Sequence, residues 1–170
     1  MLVTTSRRPG HRARSLGREL ARVLPNTEYV PRGVKTVRKL SSLASSRGHA
    51  TVMIVDSFAS IPKFLRFLDC GTGWQWSEVQ IELGKIELQK DLGQKIELSS
   101  TKIVVKSPEA KELARLLGKL WGLPVGRETG ARAVVVVDED EIHFQRGSER
   151  VGPVLHVSSV VYGHGPGQKN

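Results

Sequence analysis

The chain has 170 residues, of which 39% are apolar and 25% charged, and a formal net charge of +9. That length suits one domain or two small halves sharing a core, and the composition is that of a globular protein rather than a disordered one. No apolar run approaches the ~20 residues that a membrane-spanning helix needs, the amino terminus has no hydrophobic signal core, and the single cysteine, Cys70, excludes an intrachain disulfide and a thiolate metal cluster, so a cytoplasmic protein is the expectation.

Met1 to Thr5 reads as a strand and Ser6 to Gly10 as a turn, with Pro9 suited to the first turn of a helix. From His11 to Leu24 the apolar positions Ala13, Leu16, Gly17, Leu20, Val23 and Leu24 have helical spacing. Arg14, Arg18 and Arg22 recur every fourth residue and lie opposite that stripe. Pro25-Asn26 ends the helix, Glu28 to Val30 is a brief strand, and Pro31-Arg32-Gly33 is a turn. A second helix is predicted from Lys35 to Ser46, with Val37, Leu40, Leu43 and Ala44 inward and Arg47-Gly48 as its stop. Thr51 to Asp56 has the pattern of a central strand, and Ile61-Pro62 precedes another at Phe64 to Leu68. Met1 to Ala50 holds 11 Lys and Arg against Glu19 and Glu28, while the remaining 120 residues hold 15 basic and 15 acidic groups. The whole formal excess therefore lies in the opening segment, the charge pattern of a neutral body with one face for a polyanion.

Between 74 and 106, Ile-Glu-Leu occurs at 81, 86 and 96. The alternation favours strands with one wet face, and its phase slips around Gly84, which leaves the register open. Thr101 to Lys106 is a strand. Ser107-Pro108-Glu109 is a helix start, with an N-cap, a proline and an acid in order. Ala110, Leu113, Ala114, Leu117, Leu120 and Trp121 line the inward side, and Gly122-Leu123-Pro124 stops it. Ala133 to Val137 and Ile142 to Gln145 flank Asp138-Glu139-Asp140-Glu141 as a hairpin, Val154 to Val161 is a last strand, and 163–170 is a tail with nothing to bury.

The two principal helices match: Ala13-Arg14-Ser15-Leu16-Gly17-Arg18 lies 101 residues before Ala114-Arg115-Leu116-Leu117-Gly118-Lys119. Each follows a strand and a Ser/Pro turn and precedes an apolar strand ending in an acid. The expected architecture is α/β, with two similar strand-helix-strand halves, 1–72 and 73–162, in one compact domain, and with helices mostly on one face of each sheet. Gly17 and Gly118 each cost about 1 kcal/mol in a helix interior, so their equivalent placement predicts close helix-on-sheet packing. The outer face of the second helix offers Lys111, Arg115 and Lys119 among Glu109 and Glu112, which suits packing or a protein partner.

The candidate binding residues are Arg7, Arg8, Arg12, Arg14, Arg18, Arg22, Arg32, Lys35, Arg38 and Lys39. They read either as a solvated basic surface or as contacts to nucleic-acid phosphates. The excess of always-charged, fork-shaped guanidinium groups favours the second. Aromatic residues make up only 5% of the chain, so backbone and shape recognition is expected over base stacking. Alternate spacing on a strand puts Trp74 and Trp76 on one face, for packing or, alternatively, for exposed stacking or a protein contact. Asp138 to Glu141 reads as a wet turn, with a cation site as the alternative. His11, His49, His143, His156 and His164 lack zinc spacing, and Gly71-Thr72-Gly73 lacks the rest of a nucleotide loop. No cofactor is expected, and nothing argues for catalysis.

Thr4-Thr5-Ser6-Arg7-Arg8-Pro9, the helix with Arg14-Ser15-Leu16, and Asn26-Thr27-Glu28-Tyr29-Val30-Pro31-Arg32-Gly33 together resemble the Brix-domain ribosome-biogenesis proteins. The likeness is to the short archaeal members and to the eukaryotic relative of the small-subunit processome. Glu149-Arg150-Val151-Gly152-Pro153 is similar to the family's element before its last strand; Val154 stands where many relatives have arginine, so no basic contact is implied there. The resemblance implies a Brix domain of two α/β halves, each like the anticodon-binding domain of class II aminoacyl-tRNA synthetases. It also implies binding to ribosomal RNA precursors and assembly proteins, without catalysis. The expected function is a non-catalytic RNA-binding factor in pre-rRNA processing or small-subunit assembly. An accessory domain gripping tRNA or another structured RNA is the first alternative. A small metal-dependent nuclease using Asp138 to Glu141 is the second.

Overall fold

A computed structural model describes residues 1–71, 73–89, 100–126 and 133–163. The described chain is mixed α/β, with ten strands and three helices. It forms two compact units: the first holds Met1–Arg18, Thr27–Leu83 and the strand end from Ser158, the second Glu19–Asn26 and Gly84–Val157. The Ile-Glu-Leu at 96 and the tail from 164 lie outside the described residues.

In the first unit, β1 (Leu2–Thr5), α1 (His11–Val23) as far as Arg18, β2 (Glu28–Tyr29), α2 (Val37–Ser46), β3 (Thr51–Phe58), β4 (Ile61–Asp69) and β5 (Gln75–Glu87) as far as Leu83 follow in chain order. The strand order is β2-β1-β3-β4-β5. The short β1 is central and parallel to both β2 and β3, while β3, β4 and β5 run antiparallel in turn. All four β1 side chains are buried, as expected of a parallel strand covered on both faces. Leu2 joins Val30, Leu40, Ala44, Val52, Ile54, Leu68 and Cys70 in a cluster under α2. The neighbouring Val3 points the other way, under α1 at Gly17. Helices thus cover both faces of this sheet, not mostly one, because the adjacent apolar residues Leu2 and Val3 of the central strand point to opposite faces and both are buried.

The second unit contains β6 (Ile103–Val105), α3 (Lys111–Trp121), β7 (Val125–Gly126), β8 (Val134–Asp138), β9 (Glu141–Arg146) and β10 (Glu149–Tyr162) as far as Val157. Here β6 is parallel to β7 and β8, and β8, β9 and β10 are successively antiparallel. The order β7-β6-β8-β9-β10 repeats the plan of the first unit. Trp121 and Phe144 stack beneath α3 with ring centroids 6.4 Å apart.

The register beneath the two helices is also the same. Val3 pairs with Tyr29, and a side chain on Gly17 would lie 2.8 Å from Tyr29 Cε2 and 3.7 Å from Val3 Cγ1. Ile103 pairs with Val125, and a side chain on Gly118 would lie 2.9 Å from Val125 Cγ2 and 4.0 Å from Ile103 Cδ1. Each glycine sits over the pair formed by the first and second parallel strands, where a larger residue would lift the helix.

Several elements depart from the sequence expectation. α3 starts at Lys111 rather than at Ser107. Ser107 Oγ instead accepts a hydrogen bond from Glu139 N at 2.7 Å, so a contact across the unit takes the predicted cap. β4 begins at Ile61, because residues 58–61 form a tight hairpin. Trp74 precedes β5 and is 46% exposed, whereas Trp76 packs against the cluster under α2, so the two do not share a strand face. β6 covers only three residues, and β10 begins at Glu149, with an irregularity between Val151 and Leu155, around Pro153, which cannot donate to the ladder.

Candidate nucleic-acid interface

Because β1, β2 and β3 are parallel, their carboxyl ends meet at one edge of the first unit. Ligands of open α/β sheets favour that edge. Three connections leave it: Ser6–Gly10 into α1, Pro31–Thr36 into α2, and the hairpin turn from β3 to β4. The amino-terminal ends of α1 and α2 therefore lie there as well. Neither helix has an acid in its first turn. Each free helix start adds roughly half a positive charge. Thr36 caps α2, its side chain accepting from Lys39 N at 3.2 Å.

Most of the predicted cations gather around this edge. Arg7 and Arg8 are exposed in the turn after β1, and Arg8 adopts φ 54°. Arg12 is half-buried on the first turn of α1; Arg14 donates from Nη1 to Pro9 O at 3.0 Å and so folds back toward the same turn. Lys35 donates from Nζ to Pro31 O at 3.1 Å, and Arg38 and Lys39 stand exposed on the first turn of α2. Arg18 lies one turn further along α1, its guanidinium carbon 5.4 Å from the centroid of the Tyr29 ring. Arg22 is exposed in the last turn of α1, within the second unit.

Arg32 is different. It is only 7% exposed and donates from Nε to Lys35 O at 2.8 Å. Burial lowers its pKa, Arg7 pushes the same way, and Asp56 opposes them. These influences place Arg32 near both the Arg7 turn and the end of β3. It closes the Arg32–Lys35 turn and adds field from below rather than a free guanidinium fork.

The carboxylate at this end of β3, Asp56, pairs with Arg66 at 3.0 Å. The edge consequently keeps its excess positive potential.

Charge counting does not reveal the apolar residues there. Val34 is 92% exposed on the loop before α2, and Phe58 and Ile61 are 74% and 58% exposed at the tip of the β3–β4 hairpin. They look like ordinary strand and loop residues until the pairing shows that Phe58 and Ile61 face each other.

The second unit has a cavity of about 500 Å³ lined by Val104, Val105, Lys106, Lys111, Arg115, Val125 and Gly126. α3 does have an acid, Glu112, in its first turn. Of the acid run at 138–141, Asp138, Glu139 and Asp140 are exposed at the β8–β9 hairpin. Glu141 turns toward Arg150 at 3.0 Å and His143 Nδ1 at 2.9 Å.

No family model matches the chain. A probable Brix domain-containing ribosomal biogenesis protein of Methanopyrus kandleri is 30% identical to it over 173 residues, covering 90% of each chain. The protein of that description from Pyrococcus horikoshii is 35% identical over 94 residues, which span 55% of this chain and 42% of the relative, less than half of its length. Among solved structures, a probable ribosomal biogenesis protein from Aeropyrum pernix K1 superposes with a TM-score of 0.81 at 21% identity, covering 94% of this chain and 97% of that one. An archaeal Imp4-like protein does so with a TM-score of 0.70 at 23% identity, covering 96% and 100%. At these identities the two structures share the fold.

Proposed function

The chain belongs to the Brix domain-containing ribosomal biogenesis proteins, and from that premise we propose that it is a non-catalytic RNA-binding factor acting on a ribosomal RNA precursor. The observation that carries this reading is the convergence of basic turns and two helix starts at the carboxyl edge of β1, β2 and β3. Guanidinium and ammonium groups there contact phosphates, and the field of the edge steers a polyanion onto it. The step served is pre-rRNA processing or small-subunit assembly, in the cytoplasm and beside other assembly proteins. The repeated strand order, with Gly17 and Gly118 over matching strand pairs, supports a duplicated unit whose first copy grips RNA and whose second is free for protein contacts.

The test is to crosslink the protein to RNA in its own cells and sequence what it holds. Precursor ribosomal RNA is the expected product. Recovery of tRNA alone would replace this reading with that of an accessory tRNA-binding domain. Cleavage of labelled RNA on adding Mg²⁺ to the purified protein, lost on changing Asp138 and Asp140 to Asn, would replace it with a nuclease.

A further inference from the structure

We propose that Phe58, at the tip of the β3–β4 hairpin, is a stacking platform for an unpaired RNA base, so that the basic edge selects RNA with a bulged or looped nucleotide over plain duplex. The proposal rests on the RNA-binding reading above and adds to it the structural class of the RNA.

Phe58 is the one exposed phenylalanine of the four; Phe67 and Phe144 are buried and Phe64 is half-covered. It is paired across the hairpin with Ile61, so the two side chains form one apolar surface open to solvent. The tip is also fixed. Ala59 and Ser60 both have positive φ, 48° and 68°, as the tight two-residue turn of a hairpin demands, but neither is the glycine or asparagine that adopts this conformation readily. Such strain persists where the surroundings hold it. Here the turn after β1 does so: Ser57 N donates to Ser6 Oγ at 3.4 Å, and a side chain on Gly10 would run into the Ser60 carbonyl. Ser6 and Gly10 thus clamp the hairpin from two points, and Arg7 and Arg8 lie between them.

This juxtaposition decides the occupant. An exposed ring alone would suit any apolar partner. A rigid ring beside two exposed arginines suits a ligand with a flat apolar face and an anion attached to it, which describes a nucleotide. The base stacks on the ring while its phosphates meet Arg7 and Arg8. Bases inside a duplex offer no such face, so the preference is for unpaired nucleotides.

The experiment measures anisotropy of a fully paired RNA hairpin and of the same hairpin carrying one bulged adenine, with native protein, Phe58→Ala, Phe58→Leu and Phe58→Trp. Native protein is expected to favour the bulged RNA. Phe58→Ala should weaken binding to it by about 5- to 150-fold, the range for loss of one stacked base, and leave the paired RNA and the salt dependence unchanged. Phe58→Trp should retain the preference, and Phe58→Leu, which keeps apolar area without a ring, should lose it. Equal affinity for the two RNAs with ordinary salt dependence would overturn the stacking proposal while leaving RNA binding intact. An undiminished preference in Phe58→Ala or Phe58→Leu would overturn it too. Absence of salt-dependent binding to either RNA would remove both readings.

Discussion

Changing Arg7, Arg14 and Arg18 together to Gln should leave a folded protein that binds RNA with a weaker salt dependence. All three are exposed in the first unit, on the turn after β1 and along α1. Each phosphate contact contributes about 0.7 to 0.9 to the slope of log affinity against log salt, so losing three should reduce its magnitude by about 2 to 2.7. The expected stability loss comes from two local contacts. The Arg18–Tyr29 contact at 5.4 Å is worth about 0.5–1 kcal/mol at an exposed site. The Arg14–Pro9 hydrogen bond at 3.0 Å adds about 0.5–1.5 kcal/mol. Removing Arg7 works the other way, because it relieves repulsion on the buried Arg32. A net loss of about 1–2 kcal/mol lowers Tm by only a few degrees in a chain of this size. The assay is anisotropy of a structured ribosomal RNA fragment across a NaCl series, with Lys111, Arg115 and Lys119 to Gln as the matched triple in the second unit. Equal losses of slope from both triples, or an unchanged slope in the first, would refute the assignment of binding to the first unit's edge.

The other predictions concern packing and pH. Leu117→Ala removes a fully buried side chain under α3 and should cost about 2–5 kcal/mol in denaturant titration; a loss near that of a surface residue would contradict its position. Gly118→Ala gains helix propensity, but the added carbon meets the Leu123 carbonyl oxygen at 2.9 Å. That backbone cannot yield as a side-chain end can, so a net loss of about 1–3 kcal/mol is expected, and a stabilised variant would show that the contact is loose. His143 has its pKa lowered from 6.5, first by burial and then by the charge of Arg150, with Glu141 opposing. Below pH 6.5 the unfolded chain takes this proton while the native chain resists it. The native state therefore binds fewer protons there, and stability rises with pH through that window. Unfolding midpoints of native protein should fall more steeply than those of His143→Gln on acidification from neutrality; parallel curves would show that His143 titrates alike in both states.

Helices and strands with uninterrupted patterns were legible because the local signal and the tertiary demand agree. α1 at His11–Val23 and the Val134–Val137 run of β8 lie where their periodicity put them. The slip of phase at Gly84 lies within the continuous strand β5, where burial passes from Ile81 and Leu83 to Ile86. The failures lie where a distant group competes for a local signal. Ser107 has the chemistry of an N-cap, but Glu139 N takes its hydroxyl. Arg32 counts as surface charge, but the turn it closes buries it. Phe58 and Ile61 come together only through pairing across the hairpin tip. The basic edge was half visible: the excess of charge belongs to the sequence, whereas its focus depends on three parallel strands ending together.

The difference between the two units points the same way as the charge. Their central strands share order and register, so what distinguishes them lies in turns and helix starts. An acid in the first turn stabilises a helix by about 0.3–1 kcal/mol, and a cation there opposes the dipole by a similar amount. α3 has Glu112 beside Lys111 in its first turn, which offsets that cation, and Lys119 near its end. α1 has Arg12 and Arg14 in its first turn and no acid, and α2, which enters between β2 and β3, has Arg38 and Lys39 in the same place. Helix stability alone selects against that pattern at both starts. A polyanion bound across the edge reverses the sign, because it turns two repulsive helix ends and their basic turns into attractive ones. An edge of this kind suits the bound RNA proposed above.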